Sequence, residues 1–158
     1  MAKCALASTL SREIRRAFSD DLTRELGARD ITGLTPDAGT PAYRVKLVVP
    51  RFESELGKHA VLDAISTVRL VGGTMPALLC SHHVTEPART GYDGIAEAHQ
   101  RALAAIARQI AAAIRGFRDG TGTWRALTAD ARRIRATVSN VIFEWPTKPG
   151  RAASPDRV

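Results

Sequence analysis

The residues with the greatest capacity for chemistry lie close together in one largely apolar segment: Cys80, His82 and His83. Residues 77–85 alternate between apolar and polar types, which predicts a β-strand. Adjacent residues of a strand point to opposite faces, so His82 and His83 cannot bind the same metal ion. Cys80 and His82 share a face, but they supply only two of the four ligands of a closed zinc site. The sequence therefore predicts neither a metal site nor a cofactor here, with His82 facing inward and His83 outward.

Another histidine, His99, has two acidic neighbours, Asp93 and Glu97, and could act as a general base. No Ser or Cys nucleophile sits in a recognisable elbow to complete such a site. We therefore expect His99 to lie on a helix face, hydrogen-bonded at the rim of the domain. The nearby carboxylates Glu53 and Glu55 are expected to be solvated. No set of residues supports catalysis, and the sequence predicts a protein that is not an enzyme.

The elements that position these residues include two long amphipathic helices. The first has Ser8 or Thr9 as its expected N-cap and Gly27 at its end, and the second covers about 94–117, with Asp93 as its cap. The apolar residues of each stripe recur at helical spacing, namely Leu6, Leu10, Ile14, Phe18, Leu22 and Leu26 in the first, and Ile95, His99, Leu103, Ile106, Ile110 and Ile114 in the second.

Between the helices, three strands are predicted at 43–54, 61–71 and 77–85, with a short strand at 29–31 before them. Pro50 interrupts the first long strand and indicates a bulge or an edge. Turns are expected at Gly57 and at Gly72-Gly73, the second as a tight hairpin. The fold class is therefore α+β: a single domain in which two long helices pack on one face of an antiparallel meander.

Composition and charge limit the classes of protein to which the chain can belong. The chain has 158 residues, of which 44% are hydrophobic and 25% charged, and this excludes a collagen-like repeat and a disordered polyelectrolyte. The main domain is expected at 6–118, an extension with a strand at 138–145 on an open sheet edge follows at 119–145, and 146–158 is expected to be a disordered basic tail. Residues 114–158 carry +5 of the net charge of +7. The alternative function is therefore a small basic nucleic-acid-binding domain that uses Arg132, Arg133 and Arg135, although nucleic acid is the less favoured partner.

The order of several short motifs resembles the ABC-type transport auxiliary lipoproteins, the family of paraquat-inducible protein C-like proteins. The likeness covers about residues 6–114, and the helix from Leu10 to Leu26 matches the family's helix before its first Tyr-x-Val strand. The motifs, in chain order, are Tyr43-x-Val45, Val49-x-Arg51-Phe52-Glu53, Val61-Leu62-Asp63-Ala64, Gly91-Tyr92-Asp93, Ala98-His99-Gln100-Arg101-Ala102-Leu103 and Ile106-Ala107-x-x-Ile110.

The resemblance implies a non-catalytic periplasmic protein, anchored to the outer membrane by a lipidated N-terminal cysteine. It implies a role in lipid transport between membranes and in membrane integrity, with a mammalian-cell-entry (substrate-binding) subunit and an ABC permease as partners. It also implies a homo-oligomer and leaves contact with lipid open.

Three features depart from the family pattern. No apolar segment precedes Cys4, so it is not a lipobox cysteine and the chain is expected to be a truncated reading. Ser66 replaces a family tryptophan, and residues 119–158 match nothing in the family.

Protein contacts are expected on the solvent face of the meander. Val48, Ile65 and Leu79 each lie out of phase with the apolar residues that face the helices. Several apolar side chains on one solvent face are typical of an interface, whereas single ones are not. These three residues are therefore the predicted protein-contact site.

Overall fold

Seven helices and strands lie in the described part of the chain, which a computed structural model gives as residues 2–118 and 137–144, with side chains for residues 9–116 and for Arg118. In chain order they are α1 (Ala2–Leu26), β1 (Arg29–Asp30), β2 (Ala42–Glu55), β3 (His59–Leu70), β4 (Leu78–Pro87), α2 (Tyr92–Arg118) and β5 (Thr137–Glu144). The α+β fold class predicted from the sequence is confirmed, with both long helices on one face of an antiparallel sheet.

The sheet is built on the predicted meander. Strands β2, β3 and β4 pair in sequence order, each antiparallel to the next. Strand β5 pairs with the other side of β2, and the two-residue strand β1 pairs with β5, so the strand order is β1-β5-β2-β3-β4. The edge of the meander at β2 is thus occupied by a strand from the far end of the chain. Residues 119–136 and 145–158, including the proposed tail, lie outside the described residues.

A bulge divides the β2–β3 ladder at the predicted position. Val48 pairs with Ile65 and Arg51 pairs with Asp63, so two residues of β2, one of them Pro50, stand opposite a single residue of β3. Proline has no N–H to give to the ladder, and a bulge accommodates it. The bulge shifts the alternation of β2 by one residue, which places Phe52, the partner of the buried Leu62, on the helix side of the sheet.

The two helices lie side by side and run in the same direction. Near their ends, Arg115 of α2 donates a hydrogen bond to the backbone carbonyl of Glu25 in α1, at 2.6 Å. The two helices and the sheet share a hydrophobic core. Helix α1 contacts β5, and helix α2 contacts β3 and β4. The largest side chains that are fully buried in this core come from both helices and the two central strands, among them Phe18, Leu22, Leu47, Leu62, Ile106 and Ile110.

Four local predictions are wrong. Helix α1 begins at Ala2, so Ser8 and Thr9 lie inside it and not at its N-cap. Leu10, expected in the buried stripe, is 42% exposed and lines an open groove between the two helices. Helix α2 begins at Tyr92, which puts Asp93 in its first turn. The tight hairpin at Gly72-Gly73 is instead a connection that spans 71–77, in which Gly72 has a positive φ of 72°. Pro76, within that connection, lacks the N–H that an earlier start of β4 would pair.

Candidate functional site

A buried hydrogen-bond chain links three polar side chains on the helix face of the sheet. Ser66 is 0% exposed and its hydroxyl donates to Nε2 of His82 at 2.8 Å. The opposite ring nitrogen, Nδ1, donates to Oε1 of Gln109 in α2 at 2.7 Å. Burial lowers the pKa of His82, while the hydrogen bond to Gln109 partly opposes this shift. The imidazole is therefore neutral, with its proton on Nδ1.

Ser66, His82 and Gln109 have the order of a nucleophile, a base and an orienting group. The geometry nevertheless gives this hydrogen-bond chain a structural role. A nucleophile must reach a substrate carbonyl, and the Ser66 hydroxyl is sealed between the strands and α2. Cys80, beside it, is partly buried and its thiol is hydrogen-bonded to Ser66, and burial raises the pKa of that thiol. A raised pKa keeps the thiol protonated and unreactive.

The two adjacent histidines point to opposite faces, as the sequence predicts. His82 is buried, and His83 is exposed and pairs with the carboxylate of Asp63 on the solvent face. Among the residues that the structure describes, no three His, Cys, Asp or Glu side chains are grouped to hold a metal ion. Glu53 is engaged in an ion pair with Arg51, at 2.7 Å.

Contrary to the prediction, Nδ1 of His99 has no hydrogen-bond partner among the residues that the structure describes. His99 is only 8% exposed, and the acidic neighbour Glu97 pairs with Arg89 instead. The imidazole stacks on Phe52, with ring centroids 3.8 Å apart and planes 9° from parallel. The end of β2 beyond the bulge brings Phe52 over the first half of α2. The phenyl ring of Phe52 therefore contacts the His99 imidazole where a hydrogen-bond partner was expected.

The structure brings the three predicted contact residues together on the face of the sheet opposite the helices. Val48 pairs directly with Ile65 across β2 and β3. Ile65 stands opposite Ser81 of β4, which makes Leu79 its diagonal neighbour. Paired and diagonal positions at these spacings lie within reach of one another's side chains. Each of the three is half-buried by its neighbours rather than fully exposed. We refer to Val48, Ile65 and Leu79 as the outer-face cluster.

Cations flank the outer-face cluster on one side. Arg44 pairs directly with Arg69 across β2 and β3, and Lys46 lies two residues from Arg44 on the same face. All three are exposed, and within the described residues none of them is in an ion pair. The surface therefore combines an aliphatic centre with a positive margin, a composition that suits an acidic partner surface.

Two groups of predicted residues lie outside what can be placed. Arg132, Arg133 and Arg135 fall in the undescribed segment, and the side chain of Cys4 is not described. Sequence reasoning also missed Gln109 and Phe52 as partners of the histidines. The sequence gives little indication of either contact. Gln109 is one polar residue in an alanine-rich helix, and Phe52 stands out only as part of a family motif.

The fold and its surfaces define a small α+β domain whose described residues offer faces for binding and no accessible catalytic set. A family model described as the ABC-type transport auxiliary lipoprotein component matches residues 7–111. The chain belongs to this family, as its ordered motifs indicate. Comparisons with curated proteins and with solved structures gave no match. In the described part of the chain, no helix has both the length and the apolar character needed to cross a membrane.

Proposed function

We propose that the chain is a non-catalytic auxiliary component of a mammalian-cell-entry-linked ABC system that moves lipids between the inner and outer membranes. The observation that carries this proposal is the match of the family to residues 7–111, which span most of α1 and α2 and everything between them. The buried state of Ser66 supports a non-enzymatic role, because its hydroxyl has no access to a substrate.

In this proposal the protein acts through protein contacts at the outer-face cluster. Its partners are the mammalian-cell-entry subunit, the ABC permease and further copies of itself, on the periplasmic side of the outer membrane. Apolar side chains that are contiguous across three strands give a partner a continuous surface, which scattered residues do not. The cations beside them, which form no ion pair with the described residues, would orient an acidic partner and raise its rate of association.

Substitution of Leu79 by Lys tests the contact surface. A charge in the cluster should remove any species heavier than the monomer in sedimentation and should reduce co-purification with the mammalian-cell-entry subunit. The matched control is Thr85→Lys, which adds the same charge on the same strand and face, six residues away. The circular dichroism of both variants should match the parent. A protein that is monomeric at every concentration overturns the self-association, and unchanged co-purification of Leu79→Lys overturns the surface.

The alternative, a nucleic-acid-binding domain, has one supporting observation in the exposed cations Arg44, Lys46 and Arg69. Strand alternation places no Phe, Tyr or Trp among the described side chains of that face, so single-stranded bases have no stacking platform. Filter binding of single- and double-stranded oligonucleotides across a salt series decides between the two functions. Salt-dependent binding that is lost in Arg44→Gln/Arg69→Gln would favour nucleic acid.

A further inference from the structure

An apolar groove lies between the first halves of the two helices, on the side of the molecule opposite the outer-face cluster. It has a volume of about 330 Å³. Leu10 and Ile14 line it from α1, Ile95 and Leu103 line it from α2, and Phe52 lines it from β2. This volume falls at the lower end of the range for small-molecule sites, and the apolar lining is typical of them.

The groove gathers side chains that water-exposed surfaces seldom present together. Six large hydrophobic residues are exposed in the described part of the chain, and three of them line this groove: Leu10 at 42%, Phe52 at 38% and Tyr92 at 85%. Single exposed apolar residues are ordinary, but several that converge on one concave site indicate a ligand.

His99 supplies an unpaired polar group in the same wall. Its side chain is more than nine-tenths buried, and within the described part of the chain Nδ1 has neither a hydrogen-bond partner nor contact with solvent. Burial lowers the pKa of His99, so the ring is neutral, with one nitrogen that donates and one that accepts. A buried polar nitrogen without a partner is a cost to the folded protein, whichever of the two it is. A ligand group that can both donate and accept a hydrogen bond, such as a hydroxyl, would remove that cost.

We propose that this groove binds a single-chain alkyl compound that ends in a neutral hydroxyl group. The alkyl chain lies against Leu10, Ile95 and Leu103, and the hydroxyl forms a hydrogen bond with Nδ1 of His99. The Phe52 ring now stacks on the imidazole and would slide aside to admit the hydroxyl.

The charges around the groove select the end group of the ligand. Among the described side chains, Glu13 is the one acidic or basic residue besides the histidine that lines the groove. A carboxylate or phosphate ligand would be repelled by this negative charge, and the neutral imidazole carries no positive charge to offset the repulsion. A hydroxyl group reaches Nδ1 without that repulsion. The proposal goes beyond the proposed function, since it needs neither the partner subunits nor the outer face.

Titration of the isotopically labelled full chain with 1-decanol, followed by NMR, tests the site. We expect saturable shifts of the methyl signals of Leu10, Ile95 and Leu103, together with a shift of the His99 Nδ1 resonance. Sodium decanoate, with the same chain and a charged end, should bind at least about tenfold more weakly at neutral pH. Decanoate that binds as tightly as decanol overturns the hydroxyl assignment, and no saturable shift up to the solubility limit overturns the site.

Matched leucine variants separate groove binding from general adsorption. Leu10→Ser should weaken decanol binding by about tenfold, because it removes an exposed part of the wall. Leu34→Ser removes a leucine that is 66% exposed and outside the groove, and it should change the affinity by less than about twofold. Equal effects of the two variants would refute the site. Methyl shifts that follow protein concentration without decanol would show that a second copy fills the groove, which would also refute the proposal.

Discussion

Substitution of Ser66 by Ala tests whether the buried hydrogen-bond chain stabilises the fold. The serine hydroxyl is fully buried and donates to Nε2 of His82, and the thiol of Cys80 is bonded to the same hydroxyl. Alanine keeps the backbone and Cβ and removes one oxygen atom. The cavity that remains is smaller than the cavity left by the removal of a methyl group. The main consequence is electrostatic: Nε2 becomes a buried acceptor without a donor.

The size of the effect follows from that loss. A buried polar group left without a partner costs about 1–3 kcal/mol. For a chain of this length, 1 kcal/mol lowers the melting temperature by about 2–4 °C. We therefore expect Ser66→Ala to lower the free energy of unfolding by about 1–3 kcal/mol and the melting temperature by about 2–12 °C.

Urea unfolding at about pH 8, where the imidazole is neutral in both states, measures this cost. The control is Ser81→Ala, which lies on the neighbouring strand and is exposed, and we expect it to change stability by less than about 0.5 kcal/mol. The ¹⁵N shifts of His82 in the parent protein should show the proton on Nδ1, since Gln109 accepts there. A loss below about 0.5 kcal/mol in Ser66→Ala, or a proton on Nε2, would refute the reasoning.

Three further predictions concern the core, the pH dependence and the last strand. Ile106 is 0% exposed, so Ile106→Ala should lower the free energy of unfolding by about 2–5 kcal/mol, and a loss below about 0.5 kcal/mol in urea would show that the stripe is not core. Burial lowers the pKa of His82 and His99. The unfolded chain then binds protons more readily, so stability should be fully present above about pH 6.5 and decline as the pH falls below it; a melting temperature that rises on acidification contradicts this. Residues 138–144 pair with β2, and at their end also with β1, so their amides should exchange slowly; rapid exchange throughout the segment would exclude the pairing.

The helices and strands were predictable because their apolar periodicity is long and one-sided. From Ile14 to Leu26 and from Leu103 to Ile114, every stripe residue that the sequence assigns to the core is buried. The start of α1 was not predictable, because Ser8 and Thr9 favour a cap only where no helix precedes them. The ends of such elements depend on tertiary contacts, and the stripe alone does not carry that information.

The histidine environments show a different limit of sequence reasoning. Strand alternation gives the face of His82, but not the partner above it, because Gln109 follows 27 residues later and reaches Nδ1 only through the packing of α2 on the sheet. His99 illustrates the same point. Its place on the helix stripe predicts burial, yet the stacking on Phe52 depends on the bulge, which shifts the alternation of β2 by one residue and so turns Phe52 to the helix side.

The outer-face cluster depends most strongly on register. Alternation alone puts Val48, Ile65 and Leu79 on one face, but it does not make them neighbours. Their contact requires the pairing of Val48 with Ile65, on the near side of the bulge, and of Ile65 with Ser81. A slip of one residue in either ladder would turn the whole apolar set of a strand from the core to solvent, and the buried helix-facing residues forbid that. The packing of the core therefore fixes the register, and the register in turn assembles the surface that we propose for partner binding.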